Sequence, residues 1–169
     1  MTALFTNSIR VLDIKYGTSV DGVGLRTSIY CAGCENRCVG CHNPQSWNEQ
    51  GGEVVEVEEL FRLIEDADMN VTFTGGDPMF RPEGFTCLAQ MIKSQTSKTI
   101  WCYTGYRFED ILRHPARRAL LEWCDVLVDG RYEEAERDLS LHFRGSRNQR
   151  IIDVQKSLQA DAVVLMEGV

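Results

Sequence analysis

The chain has 169 residues, 43% hydrophobic and 25% charged, close to the size of one ordinary domain. Acidic side chains outnumber basic ones by 25 to 18, a formal charge of -7, so a phosphate polyanion would be repelled and general nucleic-acid binding is disfavoured. No apolar run approaches the ~18 residues that span a bilayer, and Met1-Thr2-Ala3-Leu4-Phe5 has neither the basic flank nor the apolar stretch of a signal peptide. The expectation is one soluble, cytoplasmic domain over 1–169, without a membrane partner.

In chain order, the first predicted strand covers 25–31 and runs into a cysteine-rich loop. Val57, Leu60, Phe61 and Ile64 then fall at i, i+3, i+4, i+7, one apolar stripe of a helix. A strand over 71–74 follows, then a second stripe at Phe85, Leu88, Ala89 and Ile92, then a strand over 99–103. Phe108, Ile111 and Leu112 begin a third stripe that Pro115 kinks before Ala116, Ala119, Leu120 and Trp123 resume it. Further strands are predicted over 125–128, 149–154 and 162–166 from their β-branched and apolar content. Strand alternating with helix predicts parallel strands with crossover helices, hence an α/β sheet or an incomplete barrel. Ligands in such folds sit at the carboxyl ends of the strands. Four glycine-bearing turns follow predicted strands: Gly33 in the cysteine loop, Gly75-Gly76-Asp77-Pro78, Thr104-Gly105-Tyr106 and Asp129-Gly130-Arg131. All four are expected to converge on one site.

Four of the seven cysteines, Cys31, Cys34, Cys38 and Cys41, fall within eleven residues. Without a secretion signal, such crowding points to metal before disulfides. Zinc ribbons separate their C-x2-C knuckles by a dozen or more residues, whereas only three separate Cys34 from Cys38. The bacterial ferredoxin order C-x2-C-x2-C-x3-C-P does not match either. The remaining reading is C-x3-C-x2-C at Cys34, Cys38 and Cys41, three thiolates able to hold three irons of a [4Fe–4S] cube and leave the fourth iron open.

C-x3-C-x2-C is the signature of radical S-adenosylmethionine enzymes. Asp21-Gly22-Val23-Gly24-Leu25-Arg26, Gly33-Cys34, Gly40-Cys41-His42-Asn43 and Trp47 resemble the activating enzymes of glycyl-radical proteins. Thr74-Gly75-Gly76-Asp77-Pro78, Trp101-x-Tyr103-Thr104-Gly105-Tyr106, Val126-Leu127-Val128-Asp129-Gly130 and Arg144-Gly145-Ser146-x-Asn148-Gln149-Arg150 narrow the resemblance to the branch acting on anaerobic ribonucleoside-triphosphate reductases. The resemblance implies an incomplete (β/α) barrel of the radical SAM type. It implies a [4Fe–4S] cluster on Cys34, Cys38 and Cys41, and S-adenosylmethionine bound near Gly40, Cys41, His42, Gly75, Gly76 and Asp77. It further implies a 5′-deoxyadenosyl radical, a glycine of the large reductase subunit as its target, and a low-potential electron donor such as a flavodoxin. Three positions depart from the usual pattern: Val23 stands where many members have proline, Gly40 where many have an aromatic residue, and Cys31 is an additional thiol three residues ahead of the first ligand.

The other conspicuous residues have plainer readings. Cys31, Cys87, Cys102 and Cys124 are expected as buried thiols, with a fourth-ligand or relay role as the alternative for Cys31. His42 is balanced between ligand contact and packing, while His114 and His142 are expected at the surface. Asp129 is expected to cap or shape a turn, with a site role as the alternative. Arg144, Arg147 and Arg150 read as a solvated knot or a contact for a carboxylate or the reductase. Gly22-Val23-Gly24 precedes its strand and has Thr27 where a third glycine belongs, so it is not a dinucleotide loop. Two rival functions remain: a small-molecule radical enzyme of the 7-carboxy-7-deazaguanine synthase type, and a non-catalytic iron–sulfur electron carrier.

Overall fold

The computed structural model describes residues 7–169; the segment over 1–5, read above as unlike a signal peptide, lies outside the described residues. The strands are β1 (Ser8–Thr18), β2 (Arg26–Cys31), β3 (Glu53–Glu56), β4 (Asn70–Gly75), β5 (Ile100–Tyr103), β6 (Val126–Asp129) and β7 (Arg150–Asp153). They form one mixed sheet in the order β3-β1-β2-β4-β5-β6-β7. The helices are α1 (Val57–Ala67), α2 (Glu83–Gln95), α3 (Phe108–Leu112), α4 (Pro115–Leu121) and α5 (Val154–Ala160).

The central strands β2, β4, β5 and β6 are parallel, as the strand–helix alternation predicts. The outer strands correct the expectation of an all-parallel sheet: β1 is antiparallel to β2, β3 to β1, and β7 to β6. Strand parity then sorts the side chains. Ile29, Val71, Phe73, Ile100, Cys102, Leu127 and Ile152 face the predicted stripes of α1, α2 and the α3–α4 pair in the main core. On the opposite face Trp101, Val126, Val128 and Ile151 pack with Tyr103, Phe143 and Met166 instead of with helices.

Three predicted elements differ in detail. The stripe over 108–123 is two short helices, because His114 adopts an extended conformation before Pro115. The strand expected over 149–154 ends at Asp153, whose side chain accepts the Lys156 N–H and starts α5. The strand expected over 162–166 is an extended segment beside β7, bridged only at Leu165–Ile152, with the Asp153 and Met166 N–H groups bonded to Val164 and Ile151 carbonyls.

Arg26 closes the end of the sheet away from the cysteine loop. It is 1% exposed and donates to the carbonyls of Val23, Val71 and Thr99 and to the hydroxyls of Thr72 and Thr99. Burial lowers its pKa to about 10, which leaves it a cation near neutrality.

Candidate metal centre

At the other end of the sheet, the turns after β2, β4, β5 and β6 surround a cavity of about 700 Å³. Cys34, Cys38, Cys41, His42, Gly75, Gly76 and Asp77 all line it, together with Thr104, Gly105 and Gly130, so the four turns converge as the topology predicts. Gly40 does not line it. At φ +78 its backbone is left-handed, a conformation that favours glycine, and a Cβ there would also press on the Glu134 carboxylate and the Tyr132 ring.

The cysteine loop folds back on the strand that launches it. Gly33 N–H bonds to Ser46 carbonyl at 2.7 Å, and Cys34 N–H lies 3.4 Å from Trp47 carbonyl, so the turn of Pro44–Ser46 supports the first thiol from behind. Each of the three thiols of the C-x3-C-x2-C motif accepts backbone N–H groups: Cys34 from Asn36 and Arg37, Cys38 from Tyr132, and Cys41 from Asn43 at 3.4 Å. Burial still pushes the Cys34 and Cys38 thiols up, so a cation must displace their protons. Among the described residues no three His, Cys, Asp or Glu side chains converge on a single ion. Three partly buried, unpaired thiols facing one cavity with N–H groups on their sulfurs are donors of the type an iron–sulfur cluster takes, and the residues present fit that group.

Cys31 is 3% exposed in the main core, where burial drives its thiol strongly upward, a thiol kept protonated. Cys102 and Cys124 are also buried, as expected; Cys87 is instead partly exposed on α2, with its thiol toward Asn7.

The double glycine permits a close approach within the chain itself. A Cβ on Gly75 would strike the backbone of Tyr30 and Cys31, and one on Gly76 would strike the Gly33 carbonyl, so both glycines let β4 press against the cysteine strand. Gly76 N–H bonds to Cys31 carbonyl at 2.7 Å and Asp77 N–H to Gly33 carbonyl at 2.8 Å, which locks the two turns together.

Asp77 extends that lock with its side chain. Its carboxylate accepts from Met79 N–H at 2.9 Å, Thr104 hydroxyl at 2.8 Å, Gly105 N–H at 2.9 Å and the Asn36 amide at 3.2 Å. One buried carboxylate thus ties the cysteine loop, its own turn and the turn after β5. Burial outweighs these donors and raises its pKa to about 6.

His42 is exposed and meets Tyr132 edge-on at 5.4 Å; His114 and His142 are exposed as expected. Asp129 is 1% exposed. It accepts Phe108 N–H and pairs with Arg150, which also forks to Glu109, so this aspartate and this arginine hold β6, β7 and α3 together. Arg147 pairs with Glu136 and Asp138, and Arg144 bonds to the Gln149 carbonyl while lining the cavity. The basic knot is therefore largely neutralised within the chain. Sequence reasoning missed Asn36, Tyr132, Glu134 and Arg117; the first lay inside a recognised motif, and the others carry no local signal.

The fold and the thiol cluster define an iron–sulfur protein: residues 20–152 match the family described as a 4Fe-4S single cluster domain. The chain is 34% identical over 139 residues to the anaerobic ribonucleoside-triphosphate reductase-activating protein of Enterobacteria phage T4, covering 78% of this chain and 86% of the relative. It is 32% identical to the protein of that name from Pasteurella multocida over 142 residues, 78% of this chain and 89% of the relative, and 30% identical to that from Escherichia coli K12 over 140 residues, 77% and 89%. The chain belongs to the family of anaerobic ribonucleoside-triphosphate reductase-activating proteins. No helix among the described residues is long and apolar enough to cross a membrane.

Proposed function

We propose that this chain, acting in the cytoplasm as one radical SAM-type domain over 1–169, activates an anaerobic ribonucleoside-triphosphate reductase by reductive cleavage of S-adenosylmethionine. The observation that supports this most is the meeting of three N–H-bonded thiols and a double-glycine turn in one cavity at the carboxyl ends of the parallel strands. When bound, the reduced [4Fe–4S] cluster supplies one electron that breaks the sulfur–C5′ bond, giving methionine and a 5′-deoxyadenosyl radical that takes a hydrogen atom from a glycine of the large reductase subunit.

The chain's own residues have ligating, orienting and shielding roles. Cys34, Cys38 and Cys41 hold the cluster, and three protein ligands instead of four leave a coordination position for a substrate, as catalytic metal sites do. With the Gly76 and Asp77 N–H groups bonded to the Cys31 and Gly33 carbonyls, and the Asp77 carbonyl accepting Phe80 N–H, the Gly76 carbonyl is the group of the turn left to accept the methionine ammonium. Asp77 serves that contact indirectly, its carboxylate holding three turns in register. His42 and Cys41, which line the cavity, offer the adenine end a ring and backbone polar groups, and Gly40 serves through the left-handed turn it allows just before Cys41. A cavity open to solvent suits a protein substrate, and a low-potential carrier of the flavodoxin type suits the electron supply.

The test is anaerobic. After loading with iron and sulfide, reduced protein mixed with S-adenosylmethionine and the large reductase subunit is expected to give a glycyl-radical doublet by electron paramagnetic resonance. Cys34→Ser, Cys38→Ser and Cys41→Ser should each abolish it, whereas Cys31→Ser should retain the cluster. A fully loaded chain that cleaves S-adenosylmethionine without marking the reductase would favour small-molecule chemistry, and one that does neither would be an electron carrier.

A further inference from the structure

Glu35 directly follows Cys34, and its carboxylate is gripped from outside the cysteine loop. Tyr106, in the turn after β5, donates its hydroxyl to Glu35. The Arg117 guanidinium, reaching from α4, lies 3.7 Å from the same oxygen. Arg117 is itself fixed by two other contacts: its Nε donates to the Met79 carbonyl at 2.9 Å, and its guanidinium stacks 3.7 Å over the Tyr106 ring. Its side chain is only 18% exposed, against 53% for Glu35. An ordinary surface pair must immobilise two long side chains and gains little; here the arginine is already held, so only Glu35 loses freedom.

None of Glu35, Tyr106 and Arg117 lines the cavity, so none is placed to touch a small ligand bound in it. Their effect must pass through the loop. The next residue, Asn36, is held from the other side by Asp77. The first turn of the cysteine loop is thereby clamped at two successive residues, one from α4 and the turn after β5, the other from the double-glycine turn.

We propose that Arg117 and Tyr106 are positioning residues for the metal centre: they hold Glu35, and through it keep Cys34 presented to the cavity. The inference rests on Cys34 being a cluster ligand, as proposed above. Partners one shell out from metal ligands change metal affinity by about 10- to 100-fold when removed. Iron–sulfur centres also report changes around their thiolates through hydrogen bonding and exposure.

The experiment compares loaded wild type with Glu35→Ala, Glu35→Gln, Arg117→Met and the double variant Glu35→Ala/Arg117→Met. The readouts are iron release to a chelator and the electron paramagnetic resonance line shape of the reduced cluster. Glu35→Ala and Arg117→Met are expected to release iron about 10- to 100-fold faster and to alter the line shape. The double variant should be no faster than the worse single one, since both remove one coupled contact. Glu35→Gln still accepts the Tyr106 hydroxyl and should restore most of the protection. Wild-type release rates and line shapes in Glu35→Ala would overturn the clamp, as would additive effects in the double variant. Should Arg117→Met fail to fold, Glu35→Ala decides alone, because Glu35 is half exposed and contributes nothing to the core. A wild-type chain that takes up no cluster would overturn the ligand assignment and the clamp with it; a loaded wild type with unaffected variants overturns the clamp alone.

Discussion

Asp77 concentrates the residue-scale chemistry, since four donors from three turns meet on one buried carboxylate. In Asp77→Asn an amide NH2 replaces one acceptor and faces donors, so the variant is expected to lose about 1–3 kcal/mol in denaturant unfolding. The sign of its pH dependence follows from the raised pKa. A carboxyl at about 6 in the folded chain against 3.8 unfolded contributes stability that is full below about pH 3.8 and lost as pH rises through about 6. The stability difference between wild type and Asp77→Asn should therefore shrink from pH 4 to pH 7; a difference that is flat over that window would contradict burial as the cause. The motif marks Asp77 as a site residue, but nothing in the sequence says that its side chain faces Asn36, Thr104 and Gly105. Those partners are 41, 27 and 28 residues away. Arg26 shows the same division: its motif is legible, its burial against the start of β4 and the carbonyl of Thr99 is not.

Among the elements, the pairing of β6 with β7 depends on an ion pair that links both strands to α3. Asp129 is buried, and Arg150 is its counter-ion as well as the partner of Glu109. Arg150→Met leaves a buried carboxylate without its cation and is expected to cost about 3–5 kcal/mol, most of it recovered in Arg150→Met/Asp129→Asn. Arg150 also holds the Glu109 carboxyl down to about 2 from 4.5. That contribution is full above about pH 4.5 and lost as pH falls through about 2, so acid titration of the melting temperature should be less steep in Arg150→Met. Helices α1 and α2 were legible because each buries a full 3.6-residue stripe. Strand β1 was not, because two register shifts, between Val11 and Asp13 and between Lys15 and Thr18, break its alternation. Helix α5 was hidden because its buried face is only Val154 and Ser157, too short a pattern to outweigh the β-branched run that precedes it.

For the molecule as a whole, a parallel centre gathers four turns at one end of the sheet, and antiparallel outer strands flank it. The gathering was legible from strand–helix alternation and glycine placement; the antiparallel flanks were not, because β1 and β3 join through short or bulged pairings with little periodic signal. The thiol triad was legible because ligand chemistry fixes spacing along the chain, whereas its supports from Tyr106 and Tyr132 come from distant turns. The central claim is that this end of the sheet cleaves S-adenosylmethionine. The most direct measurement is 5′-deoxyadenosine formed by anaerobically loaded, reduced protein without reductase present. The account predicts its formation in wild type and Cys31→Ser and none in Cys34→Ser, Cys38→Ser or Cys41→Ser. A chain with a full [4Fe–4S] complement that yields no 5′-deoxyadenosine would contradict it.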